Sequence, residues 1–232
     1  MTTAVVVFPG TNCEHDVVYA LRAIGEEAEL VWHRDTDLSG FDGVVLPGGF
    51  AHGDYLRTGA IARFSPVMTE VVRMAEAGRP VLGICNGFQI LCEAGLLPGV
   101  LLQNRDLKFI CRPVHVRVEH TNSILTRAAQ EGQVLEIPLN SYEGNFTATD
   151  VAHDALEAEA QVILRYCSPA GVVDTAANPN GSVANIAGIM NPGGNIAAVM
   201  PHPERAIEDV LGSSDGKIMF ESFAASLEDA NV

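Results

Sequence analysis

Along the first half of the chain, apolar positions fall into short runs separated by turn residues. Ala4 to Phe8 is a β-branched run stopped by Pro9-Gly10, the pattern of a buried strand and its turn. Val17, Val18, Leu21 and Ile24 then recur at helical spacing over residues 14–24. Leu30 to Trp32 and Gly43 to Leu46 supply two more strands. After a long glycine-rich loop, Ser65-Pro66 predicts an N-cap followed by proline at the first helical position. Val67, Met68, Val71, Val72 and Ala75 form the apolar stripe of that helix, and Gly78 ends it. Pro80 to Ile84 again has strand length, and Phe88, Ile90 and Leu91 open another helix.

The second half changes character. Val114, Val116 and Val118 alternate with His115, Arg117 and Glu119, as in a half-exposed strand. Val134 to Ile137, Val162 to Tyr166, Val183 to Met190 and Ile196 to Met200 predict further strands. Asn191-Pro192-Gly193-Gly194 joins the last two as a hairpin. Strands alternating with helices imply a parallel sheet covered on both faces. The expected architecture is α/β: a single flavodoxin-like domain over residues 1–232, with a mostly parallel central sheet flanked by helices and antiparallel strands added late. No internal repeat or low-complexity segment interrupts it.

Composition narrows the class. Apolar residues make up 47% of the chain and charged residues 19%, enough for a sizeable core and unlike a disordered protein. A formal net charge of −15 repels phosphate backbones, so no nucleic-acid partner is expected. Five cysteines without a CxxC form neither a disulfide framework nor a zinc signature, and no metal is expected. The opening MTTAVVVFPGTNCEHD shows no secretory leader, and no apolar stretch approaches the roughly 18 residues of a membrane span. A reduced, cytoplasmic protein is the expectation.

Gly83-Ile84-Cys85-Asn86-Gly87 has the form of a nucleophile elbow. Such a turn lifts a reactive side chain above the sheet edge, at a helix N-terminus whose partial positive charge favours an anionic sulfur. It also aims the backbone N–H of Asn86 where an oxyanion would form. Pro47-Gly48-Gly49-Phe50, after the third strand, is the natural source of a second donor. By residue type alone a cysteine after an apolar strand is more often core, as expected for Cys92; the flanking glycines reverse that reading for Cys85. Cys13, after a Pro-Gly turn, has no elbow around it.

A cysteine nucleophile requires a base with an orienting partner. Of seven histidines, six sit apart, with His15 and His33 read as surface residues. His202 lies in Met200-Pro201-His202-Pro203-Glu204, where the prolines predict an extended chain that sends His202 and Glu204 to the same side. With the elbow this makes a Cys85–His202–Glu204 triad.

These residues resemble the class I, triad-type glutamine amidotransferases at PGG 47–49, GICNGFQ 83–89 and PHPE 201–204. FPGTNCEHD, PGGFAHGDYLRTGAIARF at 47–64, NRDLKFICRPV at 104–114 and MPHPERAIEDVLGSSDG at 200–216 are similar to the glutaminase subunits of phosphoribosylformylglycinamidine synthase, of purine biosynthesis. The resemblance implies that Cys85 attacks the glutamine carboxamide to form a γ-glutamyl thioester and release ammonia. It makes His202 the proton carrier, Glu204 its holder, the N–H groups of Gly49 and Asn86 the oxyanion hole, and Gly48 and Gln89 contacts of the bound glutamine. It further implies a separate synthetase subunit that uses ATP and magnesium to convert formylglycinamide ribonucleotide to the amidine, bridged by a third small subunit, with no cofactor in this chain. Consistent with a partner, no G-x-x-x-x-G-K-[ST] phosphate loop is present.

One stretch departs from the pattern: at Pro138 to Phe146, Ser141 and Tyr142 stand before Glu143-Gly144 where relatives often carry His-Gly. That segment is expected near the glutamine pocket or a partner surface. Asp54, Tyr55 and Arg57 are candidates for facing the synthetase. Three rival readings remain at this level: a glutaminase feeding a different synthetase, a cysteine peptidase or deglycase built on a similar elbow, and a non-catalytic subunit.

Overall fold

The apolar runs Gly43–Leu46 and Val81–Ile84 are wholly buried and lie side by side in the middle of a nine-stranded sheet. The computed structural model describes residues 1–230; of the expected span 1–232, residues 231 and 232 lie outside the described residues. In chain order the elements begin β1 (Thr2–Val7), α1 (Glu14–Ala23), β2 (Glu27–Trp32), β3 (Gly43–Leu46), α2 (Val67–Glu76), β4 (Val81–Ile84), α3 (Asn86–Glu93) and β5 (Val100–Leu102). They continue β6 (Ile110–Val118), β7 (Val134–Ser141), β8 (Asn145–Thr147), α4 (Asp150–Ala158), β9 (Val162–Cys167), β10 (Ile186–Met190), β11 (Ile196–Val199) and α5 (Lys217–Asp229).

The sheet order is β2-β1-β3-β4-β11-β10-β9-β6-β7. Its first five strands pair in parallel, in the flavodoxin-like order in which the fifth position is taken by the last strand of the chain. The remaining pairings are antiparallel, so only β10 and β6 run against the other strands of this sheet. The molecule is thus one α/β unit with the mostly parallel sheet the sequence predicts, and β5 and β8 form a small separate pair.

Burial follows the sequence pattern where the pattern is strong. Val114, Val116 and Val118 point into the core from β6. The Asn191–Gly194 turn closes the β10–β11 hairpin through Asn191 N–H to Ile196 O at 2.9 Å. Several expectations are corrected. Ser65 does not cap α2; its hydroxyl lies 3.1 Å from Nδ1 of His33, which is buried rather than a surface residue. Met74 replaces Val72 in the buried stripe of α2, continuing the i, i+3, i+4 spacing of Val67, Val71 and Ala75. Residues 183–185 form a 3-10 turn with Ala184 at φ 48°, so only Ile186–Met190 of the expected strand pairs. The helices α4 and α5 were not anticipated; α4 starts at an ordinary cap, Thr149 Oγ accepting from Ala152 N–H at 3.3 Å.

Candidate active site

β4 and β11 are parallel neighbours with Ile84 paired to Val199, so the chain leaves both strands at the same edge of the sheet. In flavodoxin-like sheets that edge, beyond the carboxyl ends of the strands, is where ligands bind. Cys85 follows β4 directly and His202 follows β11, which brings them together although they are far apart in sequence.

Cys85 sits at φ 50°, ψ −103°, a conformation that L residues rarely adopt. The strain is tolerated because the turn is clamped. Its N–H donates to Val199 O at 2.8 Å, and α3 starts at the next residue. The flanking glycines are sterically required: a Cβ on Gly87 would stand 1.9 Å from Leu46 O, and one on Gly83 2.8 Å from the Gly87 backbone. The elbow read from the sequence is therefore present.

The predicted base and its partner meet closely. Nδ1 of His202 lies 2.6 Å from Oε1 of Glu204, and both residues are buried. The local path differs from the expected extended chain: Pro203–Arg205 form a 3-10 turn, since the fixed φ of Pro203 suits the first position of a helical turn. The backbone N–H of His202 is anchored to Pro138 O of β7 at 2.7 Å. Burial alone would hold the imidazole neutral; the carboxylate of Glu204 and the thiols of Cys85 and Cys13 reverse this and raise it well above the ordinary histidine value.

Cys13 is the residue the sequence undervalued. Its sulfur, a ring nitrogen of His202 and a carboxylate oxygen of Glu204 lie within 4.8 Å of one another. Arg205 donates from Nη2 to the Cys13 sulfur at 3.3 Å, while burial raises the thiol above its ordinary value. The trio has the donor types of a metal site, but the His202–Glu204 hydrogen bond already engages one donor of each. The signal in the sequence was the Pro9-Gly10 turn, which folds residues 10–13 against the loop at 48–50: Gly48 O accepts from the N–H groups of Asn12 and Cys13 at 3.3 and 3.2 Å.

Gly48 and Gly49 have different jobs. A Cβ on Gly48 would lie 2.6 Å from Cε1 of His202 and 3.1 Å from the Cys13 sulfur, so this glycine makes room for the imidazole. Gly49, at φ 149°, forms a bridge with Thr11, and the bonds on either side are Phe50 N–H to Gly10 O and Asn12 N–H to Gly48 O. In such a pair the central N–H points away from the bridge, which leaves that of Gly49 unengaged by it.

A cavity of about 380 Å³ opens beside these groups. Cys85, His202, Gly49 and Gln89 line it together with Asn140 to Glu143 of the departing segment, and the Cys85 sulfur lies 3.7 Å from Asn140 O. The side-chain amide of Asn86 accepts from Ala51 N–H at 3.1 Å and donates to Gln89 Oε1 at 2.9 Å, and Gln89 donates on to Glu143 O at 2.5 Å. Of the three residues considered for a partner surface, Tyr55 is largely exposed, Arg57 is exposed as well while forming a two-pronged pair with Glu93, and Asp54 lines the cavity. Among the described residues no helix is long and apolar enough to cross a membrane.

Comparison with known proteins identifies the family. Residues 1–221 match the CobB/CobQ-like glutamine amidotransferase domain. Phosphoribosylformylglycinamidine synthase subunit PurQ of Salinibacter ruber is 52% identical over 94% of this chain and 93% of its own length. That of Bradyrhizobium diazoefficiens is 53% identical over 99% of this chain and its full length. Among solved structures, PurLQS from Thermotoga maritima superposes with a TM-score of 0.87 at 40% identity, covering 97% of this chain and 98% of that one. A further glutamine amidotransferase from Thermotoga maritima, at 14% identity and TM-score 0.56 over 99% of this chain and 93% of its own, shares the fold. The chain belongs to the glutamine amidotransferases, within the family of PurQ subunits of phosphoribosylformylglycinamidine synthase.

Proposed function

We propose that the protein is the glutaminase subunit of phosphoribosylformylglycinamidine synthase, hydrolysing glutamine at Cys85 and handing ammonia to a separate synthetase. The observation that carries this reading is the convergence of the strained Cys85 elbow with the buried His202–Glu204 pair on one cavity. The Cys85 sulfur attacks the side-chain carboxamide of glutamine, and the N–H groups of Gly49 and Asn86 receive the oxyanion. His202 passes a proton to the departing nitrogen, leaving a γ-glutamyl thioester and ammonia. Water, deprotonated by His202, then cleaves the thioester to glutamate and restores the thiol. Glu204 holds the imidazole through Nδ1, so that Nε2 is the nitrogen available for these transfers. Gln89 steadies the cavity wall through Glu143 and Asn86, and Gly48 keeps space for His202.

The amidation belongs to the partner. Formylglycinamide ribonucleotide, ATP and magnesium act on the synthetase, and a small third subunit bridges the two. The site, with its thiols, fits the reducing cytoplasm. The full chain is read as one functional domain.

The test reconstitutes the chain with its synthetase and bridging partners and compares glutamine with ammonium as nitrogen donor. Native chain should support both donors and Cys85→Ala only ammonium. A native complex that uses ammonium and never glutamine would overturn the assignment.

A further inference from the structure

The thioester chemistry leaves two acidic side chains of the cavity wall unused. These are Asp54, from the loop after β3, and Glu143, from the turn after β7. Oδ1 of Asp54 is buried without a hydrogen-bond partner among the described residues. Glu143 is held in place: the Thr58 hydroxyl donates to its carboxylate, and its carbonyl accepts from Gln89 at 2.5 Å. Through Gln89 and Asn86 this anchoring reaches the residue after the nucleophile.

The cationic groups of the cavity wall are engaged elsewhere, His202 with Glu204 at 2.6 Å. Arg205, the one Lys or Arg side chain on its wall, is committed to Asp16 at 3.1 Å and to the Cys13 sulfur at 3.3 Å. Burial, and then the charge of Glu143, push the Asp54 carboxyl up to about 6. The loop that presents it is also strained, with His52 and Asp54 at φ 55° and Leu56 at φ 70°. Non-glycine residues persist in that region where the surroundings over-determine them.

A desolvated carboxylate facing a ligand cavity suits a cationic group on the ligand. Glutamine carries one, its α-ammonium, a few bonds from the carboxamide that Cys85 attacks. We propose that Asp54, backed by Glu143, binds the α-ammonium of the substrate and makes the site selective for an amino-acid amide over an amide lacking the amino group. This rests on the glutaminase reading above.

The experiment uses the reconstituted complex and two amides, L-glutamine and glutaramic acid, which is glutamine without its α-amino group. Native enzyme should prefer glutamine strongly. Asp54→Asn should lose roughly 10- to 100-fold in kcat/KM for glutamine, mainly through KM, the size expected for a hydrogen bond to a charged group. Its activity on glutaramic acid should stay within about twofold, collapsing the preference. Glu143→Gln should move the preference the same way by a smaller factor. The ammonium-dependent rate, unchanged in both variants, reports intact folding and assembly. Retained preference in Asp54→Asn, or equal losses on both amides, would overturn the proposal while leaving the glutaminase reading intact. Failure of the native complex to use glutamine at all would instead remove the reading beneath it.

Discussion

Nδ1 of His202 and Oε1 of Glu204 are 2.6 Å apart in a site where neither residue is more than 2% exposed. A carboxylate at that distance fixes which ring nitrogen holds the proton and supports the imidazolium that forms during catalysis. Glu204→Gln keeps the size and removes the charge. Glutamine-dependent turnover should fall on the order of 10²- to 10⁴-fold, with ammonium-dependent turnover preserved. Parallel assays with the two donors read this directly, and a loss below about tenfold would assign Glu204 to stability rather than catalysis.

The elbow glycines make a separate prediction about folding. A methyl group on Gly87 would sit 1.9 Å from a backbone oxygen of β3, which cannot move without displacing the sheet. Gly87→Ala should destabilise the chain by about 2–4 kcal/mol, the range of severe overpacking. Thermal or urea unfolding would show it. Gly25→Ala is the contrast: nothing lies within 4 Å of its Cβ, and the only cost is its φ of 93°.

Asp54 should trade stability for function. Its carboxyl titrates near 6 in the folded chain, above the ordinary 3.8. Between those values the folded state holds the extra proton, so stability declines as pH rises through that window and the penalty is complete above it. Asp54→Asn should therefore match the native chain near pH 4 and exceed it near pH 7. The ideal difference is about 3 kcal/mol, reduced to about 1 kcal/mol by partial solvent exposure. Urea unfolding at the two pH values tests the sign, and equal stability gains at both would refute it.

The Arg57–Glu93 pair is lopsided. The Arg57 side chain is half exposed, whereas that of Glu93 is 7% exposed. Removing the arginine strands a desolvated carboxylate, so Arg57→Ala should cost about 1–2 kcal/mol. Glu93→Gln, which leaves the arginine in water, should cost less than half of that. The ordering of the two in thermal unfolding is the check.

Much of this was legible in the sequence because it depends on local pattern. Gly43–Leu46 coincides with β3 and the alternation at Val114–Val118 with β6, since burial on two faces or one writes itself into spacing. Cys85, His202 and Glu204 were readable because glycines and prolines mark the turns that present them. What the sequence concealed depends on topology. Cys13, Asp54 and Glu143 reach the cavity from three loops, and only the sheet order brings those loops together. His33 looked exposed beside Arg34 and Asp35 but is buried against Ser65, a contact across distant segments. α5 was missed although it buries Phe220, Phe223 and Leu227. Its buried positions include Ser222 and Ser226, whose hydroxyls bond back along the helix and blur its apolar stripe.

The central position of β11 bears on how the chain comes off the ribosome. β4 and the elbow are made early, yet the strand that fills the gap between β4 and β10 is the last of the sheet to be synthesised. Until it inserts, the Cys85 N–H has no Val199 carbonyl to bond and the thiol has no His202 beside it. A nascent or truncated chain thus holds Cys85 without these partners, and on the proposed glutaminase reading the step that completes the sheet is the same step that arms the nucleophile.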